Sequence, residues 1–251
     1  AAAATAATGG DGDVRTHWFS ESGVIDVYVL LGDTPADVLA AYASLVGSTP
    51  LPPMWSLGHH QCKWNYRTEA EVAEVDAGFD AAAMPYDVLW LDIEHTDGKR
   101  YFTWDSAHFP TPERMQRALG DKQRRLVTIV DPHIKRDEQY AVHADASARG
   151  MYVDNAARAV YDGHCWPGGS SWPDFVRADV REWWASRFAL DAYAGSTERL
   201  YVWNDMNEPS VFNGPEVTMH KDARHADGAL EHRDVHNAYG MCVHAATFDG
   251  L

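Results

Sequence analysis

The feature that most constrains this chain is a repeated pattern. A short, unbroken apolar run stops at a polar residue and an amphipathic stretch follows. Val88-Leu89-Trp90-Leu91 stops at Asp92, Leu126-Val127-Thr128-Ile129-Val130 stops at Asp131, and Leu200-Tyr201-Val202-Trp203 stops at Asn204-Asp205. An earlier run, Met54 to Gly58, closes at His59-His60. Between them, Thr68-Glu69-Ala70-Glu71 reads as a capping box ahead of Val72, Val75, Phe79 and Ala83, which recur at helical spacing. Thr111-Pro112 opens a second helix, and a third runs from about Arg136 to Arg149 and ends at Gly150. A fourth carries Val180, Trp183, Trp184 and Phe188, and residues 151–172 read as a hairpin and loop rich in Gly and Trp. Strands without polar alternation are buried on both faces, and strands that alternate with helices build a parallel sheet.

Two architectures satisfy that pattern, an open doubly wound sheet and a closed (β/α)8 barrel. Neither GxGxxG nor GxxxxGK[ST] follows any strand, which removes the main signatures of the open class. The reading is therefore α/β: the first half, four βα units, of a (β/α)8 TIM barrel, spanning residues 51–251. Ahead of it, residues 16–50 read as the end of an N-terminal β-sandwich domain with a linking helix. Gly23 to Leu31 is β-rich, Thr34-Pro35 opens a helix bearing Val38, Leu39, Tyr42 and Leu45, and Thr49-Pro50-Leu51-Pro52-Pro53 marks a boundary. Residues 1–15 begin AAAATAATGG and read as a disordered low-complexity end. A whole barrel takes ~250 residues, so four strands in this length suggest a segment of something longer.

Acidic residues outnumber basic ones 37 to 21, for a net charge of −16. That field repels a phosphate backbone, so no nucleic-acid partner is expected. No run reaches the length of a membrane span, so no membrane insertion is expected either. In a parallel sheet the C-terminal strand edge is where loops converge on a site. Here that edge carries Asp92, Asp131 and Asp205, with Glu94 and Glu208 close behind. Carboxylates without a cationic cluster suit acid/base or nucleophilic work on a neutral substrate, and glycoside hydrolysis is the leading case. Sugars also need flat apolar platforms. Trp64, Trp90, Trp166 and Trp203 lie at or just past strand ends, although Trp90 and Trp203 suit a barrel core equally well.

A metal site competes weakly. His232 and His236 are four apart, but no glutamate stands at the second position between them, so a solvated helix face is the simpler reading. His59 and His60 are adjacent and point to opposite faces of a strand. Cys62, Cys165 and Cys242 lack CxxC spacing, and Cys62 and Cys165 are a candidate pair in an oxidising compartment. No cofactor or metal is expected.

The segment YVWNDMNE, Tyr201 to Glu208, resembles the nucleophile signature of glycoside hydrolase family 31. LPPMWSLGHHQCKWNYR, WLDIEHTDGKRYFTWD, VTIVDPHIK, CWPGGSSWPDF, WNDMNEPSVFNGPE and EHRDVHNAYG extend the resemblance from about Thr16 to Leu251. Within that family it points to the α-glucosidases of the endoplasmic reticulum lumen that trim α-1,3-linked glucose from N-glycans, with a non-catalytic β subunit as a further partner. The resemblance implies a retaining mechanism with Asp205 as nucleophile. It implies sugar-binding roles for Asp92 and Asp131, and apolar pocket walls from Trp64, Trp166, Trp203 and Met206. Glu208 is a supporting carboxylate or a structural one. The family's acid/base motif, Trp-Thr-Gly-Asp-Asn, does not occur in the sequence. The segment alone is therefore expected to be inactive. The alternatives are a non-catalytic fragment that binds glycan or a partner and, less favoured, a metal-dependent barrel hydrolase.

Overall fold

The computed structural model describes the backbone of residues 3–8 and 14–251, with side chains from Thr16 onward. It divides into two compact units that meet in sequence between Leu57 and Gly58.

In the first unit, β1 (Ala3–Thr8) pairs antiparallel with β2 (Val14–Phe19). The expected disordered end, 1–15, thus falls partly outside the described residues, and where it is described it carries a ladder. Helix α1 (Pro35–Val46) starts as the sequence suggests: Thr34 caps it, and Asp37 returns a bond to the Thr34 N–H. Gly23 to Leu31 departs from its expected strand. It joins no sheet among the described residues, and Val24 and Ile25 are 90% and 97% exposed. A β-rich segment becomes a strand only when a neighbour takes its N–H and C=O groups.

The run Met54 to Gly58 is also not a strand. Residues Met54–Leu57 form a 3-10 turn, with Ser56 N–H donating to the Pro53 carbonyl at 2.9 Å. Pro52-Pro53 presets the backbone for that turn. The first strand of the second unit is instead the two-residue β3 (His60–Gln61). It leads to α2 (Glu69–Ala81), β4 (Val88–Leu91), α3 (Pro112–Asp121) and β5 (Arg125–Ile129). Half of the expected capping box on α2 forms. Thr68 caps the Glu71 N–H, but the Glu71 carboxylate turns to the Arg67 N–H.

An excursion follows β5. Strand β6 (Ile134–Lys135) pairs with a hairpin of β7 (Gly163–Cys165) and β8 (Gly168–Ser171), with α4 (Ala141–Ala148) between. Helix α4 starts later than expected. Helix α5 (Ala178–Ser186), β9 (Leu200–Trp203), the small pair β10 (Arg224–His225) and β11 (Leu230–Glu231), and α6 (His232–Gly250) complete the chain. Strands β3, β4, β5 and β9 form one parallel sheet in chain order, as the alternation predicts.

The register explains the site. Trp90 pairs with Val127, and Ile129 with Trp203, so these residues share one face. Leu89, Leu91 and Leu126 take the other face and pack with Val72, Met115 and Leu119 of α2 and α3. Counting on by two from Trp90, Ile129 and Trp203 gives Asp92, Asp131 and Asp205, which places all three on the Trp90 face.

Charge at the opposite, N-terminal end of β4 and β5 is neutralised. Asp76 and Asp80 on α2 meet Lys122 and Arg124, which precede β5. Tyr86 donates to Asp76, and Arg124 lies 4.3 Å over the Tyr86 ring. Burial alone would raise the Asp76 carboxyl. Hydrogen bonds from Lys122, Tyr86 and Arg124 outweigh it and hold Asp76 below the usual carboxylate range.

The histidine pair on α6 is not on a solvated face. His232 is buried, and it belongs to a hydrogen-bonded chain. Asp174 meets His225 at 2.6 Å, His225 meets His232 at 3.0 Å, and His232 meets His236 at 2.9 Å. Asp174 also accepts from the Ala226 N–H. The chain fastens the β10–β11 turn to the start of α6, and burial pushes His232 down to about 3, so it is neutral. Periodicity alone put these histidines outside. The packing of the β10–β11 turn over the first turn of α6 buries His232 and leaves His236 half-buried.

Candidate active site

Each strand-end aspartate is presented differently. Asp92 caps a short 3-10 turn, accepting from the Ile93 N–H at 2.7 Å, and is half-buried. Burial, then the charges of Glu94 and Asp205, raises its carboxyl above the ordinary value. Asp131 is fully buried. Its Oδ2 lies 2.5 Å from the Tyr101 hydroxyl, which is itself 2.9 Å from His133 Nε2. Burial pushes Asp131 well above the carboxylate range; the Tyr101 bond opposes that, and the charges of Asp205 and Asp92 add to it. Asp205 is exposed. The three carboxyls are therefore close enough to perturb one another, as their shared sheet face requires.

The loop after β9 is tied down next to Asp205. The Val130 N–H donates to the Trp203 carbonyl at 2.9 Å, and the Asn204 side chain donates to the Val130 carbonyl at 2.8 Å. Met206 adopts a left-handed backbone, φ 59°, and packs against the core. That conformation is uncommon for a residue with a Cβ, and it turns the chain sharply just past Asp205. Glu208 is exposed on the same loop, and its charge reaches the Cys165 thiol rather than closing a contact with the three aspartates.

The tryptophans divide into two groups. Trp90 and Trp203 meet edge to face, 5.3 Å between centroids, and the Trp90 N–H donates to His60 Nδ1 at 2.9 Å. They form a half-buried floor on the face that carries the aspartates. Trp64 and Trp166 are exposed, 5.6 Å apart, and Trp64 N–H donates to Glu94 at 3.1 Å. Trp166 also meets Phe212 edge-on at 4.8 Å, which makes a row of three aromatic rings beyond the strand ends. Phe212, Tyr101 and His133 were not found from sequence. An aromatic in the Gly-bounded stretch Val211-Phe212-Asn213-Gly214, and a histidine two residues past a strand-end aspartate, were the available signals.

Cys62, Cys165 and Cys242 are all free. The suggested Cys62–Cys165 pair does not form, because Cys165 is buried within β7 while Cys62 sits on an exposed loop. Among the described residues no group of three His, Cys, Asp or Glu could hold a metal ion. No described helix is long and apolar enough to cross a membrane.

Residues 49–251 match the TIM-barrel domain of glycosyl hydrolases family 31. Neutral alpha-glucosidase AB of Dictyostelium discoideum is 61% identical over 237 residues, which is 94% of this chain and 25% of that protein. A probable glucan 1,3-alpha-glucosidase of Oryza sativa subsp. japonica is 56% identical over 96% of this chain and 26% of its own length. The crystal structure of an ER glucosidase II heterodimeric complex, a catalytic subunit with the binding domain of a regulatory subunit, superposes with a TM-score of 0.93. It is 46% identical and covers 100% of this chain, which covers 28% of that one. The chain thus spans about a quarter of the length of the relatives it matches. The parallel sheet, its aspartate-tipped strands and the extent of these matches together lead to one family: the chain belongs to glycosyl hydrolases family 31.

Proposed function

We propose that this chain forms the nucleophile-bearing half of the barrel of a retaining α-glucosidase, preceded by the end of a β-sandwich. Asp205 is the nucleophile. Its carboxylate attacks the anomeric carbon of a terminal glucose, the bond to the leaving oxygen breaks, and a glycosyl ester forms on the aspartate. Water then hydrolyses that ester with net retention. An exposed, polar setting suits Asp205, because a nucleophile must be ionised at working pH. Asp92 holds sugar hydroxyls by charge-assisted bonds, and Asp131 supports the same site. Trp203 and Met206 wall the pocket, Trp64 and Trp166 form its apolar rim, and Glu208 is a supporting carboxylate on the Asp205 loop.

The observation that carries this reading is the convergence of Asp92, Asp131 and Asp205, without a paired cation among the described residues, on the face that Trp90 and Trp203 floor. The leaving oxygen needs a proton from an acid across the glycosidic bond, ~5–5.5 Å from the nucleophile in a retaining enzyme. The acid/base signature of the family is absent from this sequence, so the 251-residue chain alone is proposed to be inactive. The substrate is proposed to be an α-1,3-linked glucose on an N-glycan in the endoplasmic reticulum lumen, with a non-catalytic β subunit as partner. The names of the rice and heterodimeric relatives support that choice.

A mechanism-based fluoro-glucoside, applied to a full-length enzyme containing this sequence, tests the assignment. Mass spectrometry should find the glycosyl adduct on the peptide with Asp205. An adduct on another carboxylate refutes it.

A further inference from the structure

Asp131 was expected to line the pocket, yet its side chain is 0% exposed. Its surroundings suggest a different task. Tyr101, Asp131 and His133 form a chain that solvent does not reach. A hydroxyl has one hydrogen to give. With Asp131 ionised, Tyr101 donates to Oδ2 at 2.5 Å, so its oxygen must accept from the His133 Nε2–H at 2.9 Å. His133 then has a bare Nδ1, and that atom indeed has no partner. A bare lone pair tolerates apolar surroundings better than an orphaned N–H does. For the ionised carboxylate the chain therefore runs from His133 through Tyr101 to Asp131.

The other carboxylate oxygen, Oδ1, has no hydrogen-bond partner among the described residues, although the nearby Asp205 backbone N–H favours the charged form of this carboxyl. The residue before Asp131 and the two before Asp205 are already stitched together, through Val130, Trp203 and Asn204. We propose that Tyr101 and His133 are positioning residues: they offset the burial of Asp131 and fix it behind the sheet edge, and Asp131 in turn steadies the Asp205 loop that Val130 ties to Trp203 and Asn204. Asp131 on this account acts through Asp205 and touches no sugar. The inference rests on the α-glucosidase reading for its kinetic consequences only.

The ionisable groups facing Asp131 are Tyr101, His133 beyond β5, Asp92 beyond β4, Asp205 beyond β9 and Cys165 on β7. Asp92 and Asp205 oppose its charge, while burial keeps the Cys165 thiol protonated. Removing the Tyr101 hydroxyl should therefore raise the Asp131 carboxyl and let it take a proton at a higher pH. In a full-length enzyme containing this sequence, Tyr101→Phe should lower kcat on the order of 10-fold to 100-fold with KM nearly unchanged. The acid limb of the kcat profile should move to higher pH. His133→Gln, which can keep a donor near the place of Nε2, should retain most of kcat, and His133→Leu should not. Unchanged kcat and acid limb in Tyr101→Phe, or a loss confined to KM, would overturn the proposal.

Hydrogen exchange of the Asp205 amide gives a reading that needs no activity. It should be about tenfold faster in Tyr101→Phe, with peptides of α2 and α3 unchanged. Equal exchange at Asp205 overturns the proposal even in an enzyme that turns over no glucoside. Absence of α-glucosidase activity in the unsubstituted enzyme would instead sink the functional reading and leave the exchange result to decide this one.

Discussion

The two ends of the parallel sheet carry carboxylates in opposite circumstances. At the N-terminal end, Asp76 and Asp80 are matched by Lys122 and Arg124, and Tyr86 fills in beneath. At the C-terminal end, Asp92, Asp131 and Asp205 raise one another's energy, and none has a paired cation in the contacts described above. One end uses charge to hold α2 against β4 and β5. The other leaves charge uncompensated, which the proposed function assigns to a ligand. The contrast shows that acidic residues in a barrel are informative by their pairing, not by their number.

The comparison can be broken by exchanging the effects. The largest expected effect is at the unpaired end. Asp205→Ala in a full-length enzyme should cut kcat on the order of 10,000-fold. Asp205→Asn should leave the melting temperature unchanged or slightly higher, since one of three like charges is gone. A clear fall in melting temperature would show that the carboxylate is structural. Next comes the paired end. Arg124→Ala leaves Asp76 nearly buried without its guanidinium and should cost about 3 kcal/mol in denaturant unfolding. At temperatures where that variant is folded, its kcat should be that of the parent. A loss of kcat there would join the two ends functionally.

A third prediction concerns pH. The depressed Asp76 carboxyl contributes stability above the ordinary aspartate pKa, and that contribution is lost as pH falls through its folded value. His232 has the same sign for the opposite reason. Its folded pKa of about 3 lies below the usual histidine value, so the unfolded chain binds the proton first. Stability should fall as pH drops from about 6.5 toward 3. His232→Gln should flatten that slope at a cost of about 1–2 kcal/mol at neutral pH, measured by urea unfolding at several pH values. An unaltered slope would assign the acid loss to the paired carboxylates alone. The smallest effect is expected at the rim. Trp64→Ala, at an exposed ring, should raise KM about 3-fold to 10-fold and leave kcat within twofold. A larger change in kcat would move Trp64 into the reacting shell.

The site's frame was readable because it follows from chain periodicity. Strands of period two that end in Asp92, Asp131 and Asp205 place three carboxyls on one face whatever the loops do. The depth of each carboxyl was not readable. Asp131 is buried because Tyr101, 30 residues earlier in sequence, folds over it, and no local pattern encodes such a contact. The same limit hid His232, whose neighbours at helical spacing read as a solvated face until His225 arrived from the β10–β11 turn. Gly23 to Leu31 failed for the converse reason. Its β-propensity is strong, but propensity supplies no partner strand.

On the proposed α-glucosidase reading, the uncompensated aspartates also sort what can enter. The exposed Asp205 and half-buried Asp92, without a counter-cation among the contacts described, would repel any ring that bears a phosphate, sulfate or uronate near the scissile bond. They would admit a neutral hexose without penalty and draw in a protonated ring amine. Selection among ligands then begins before any hydroxyl is recognised, and it weakens as salt is added. On that reading, the feature that makes this end of the sheet costly to fold is the same one that would turn it into a filter for charge.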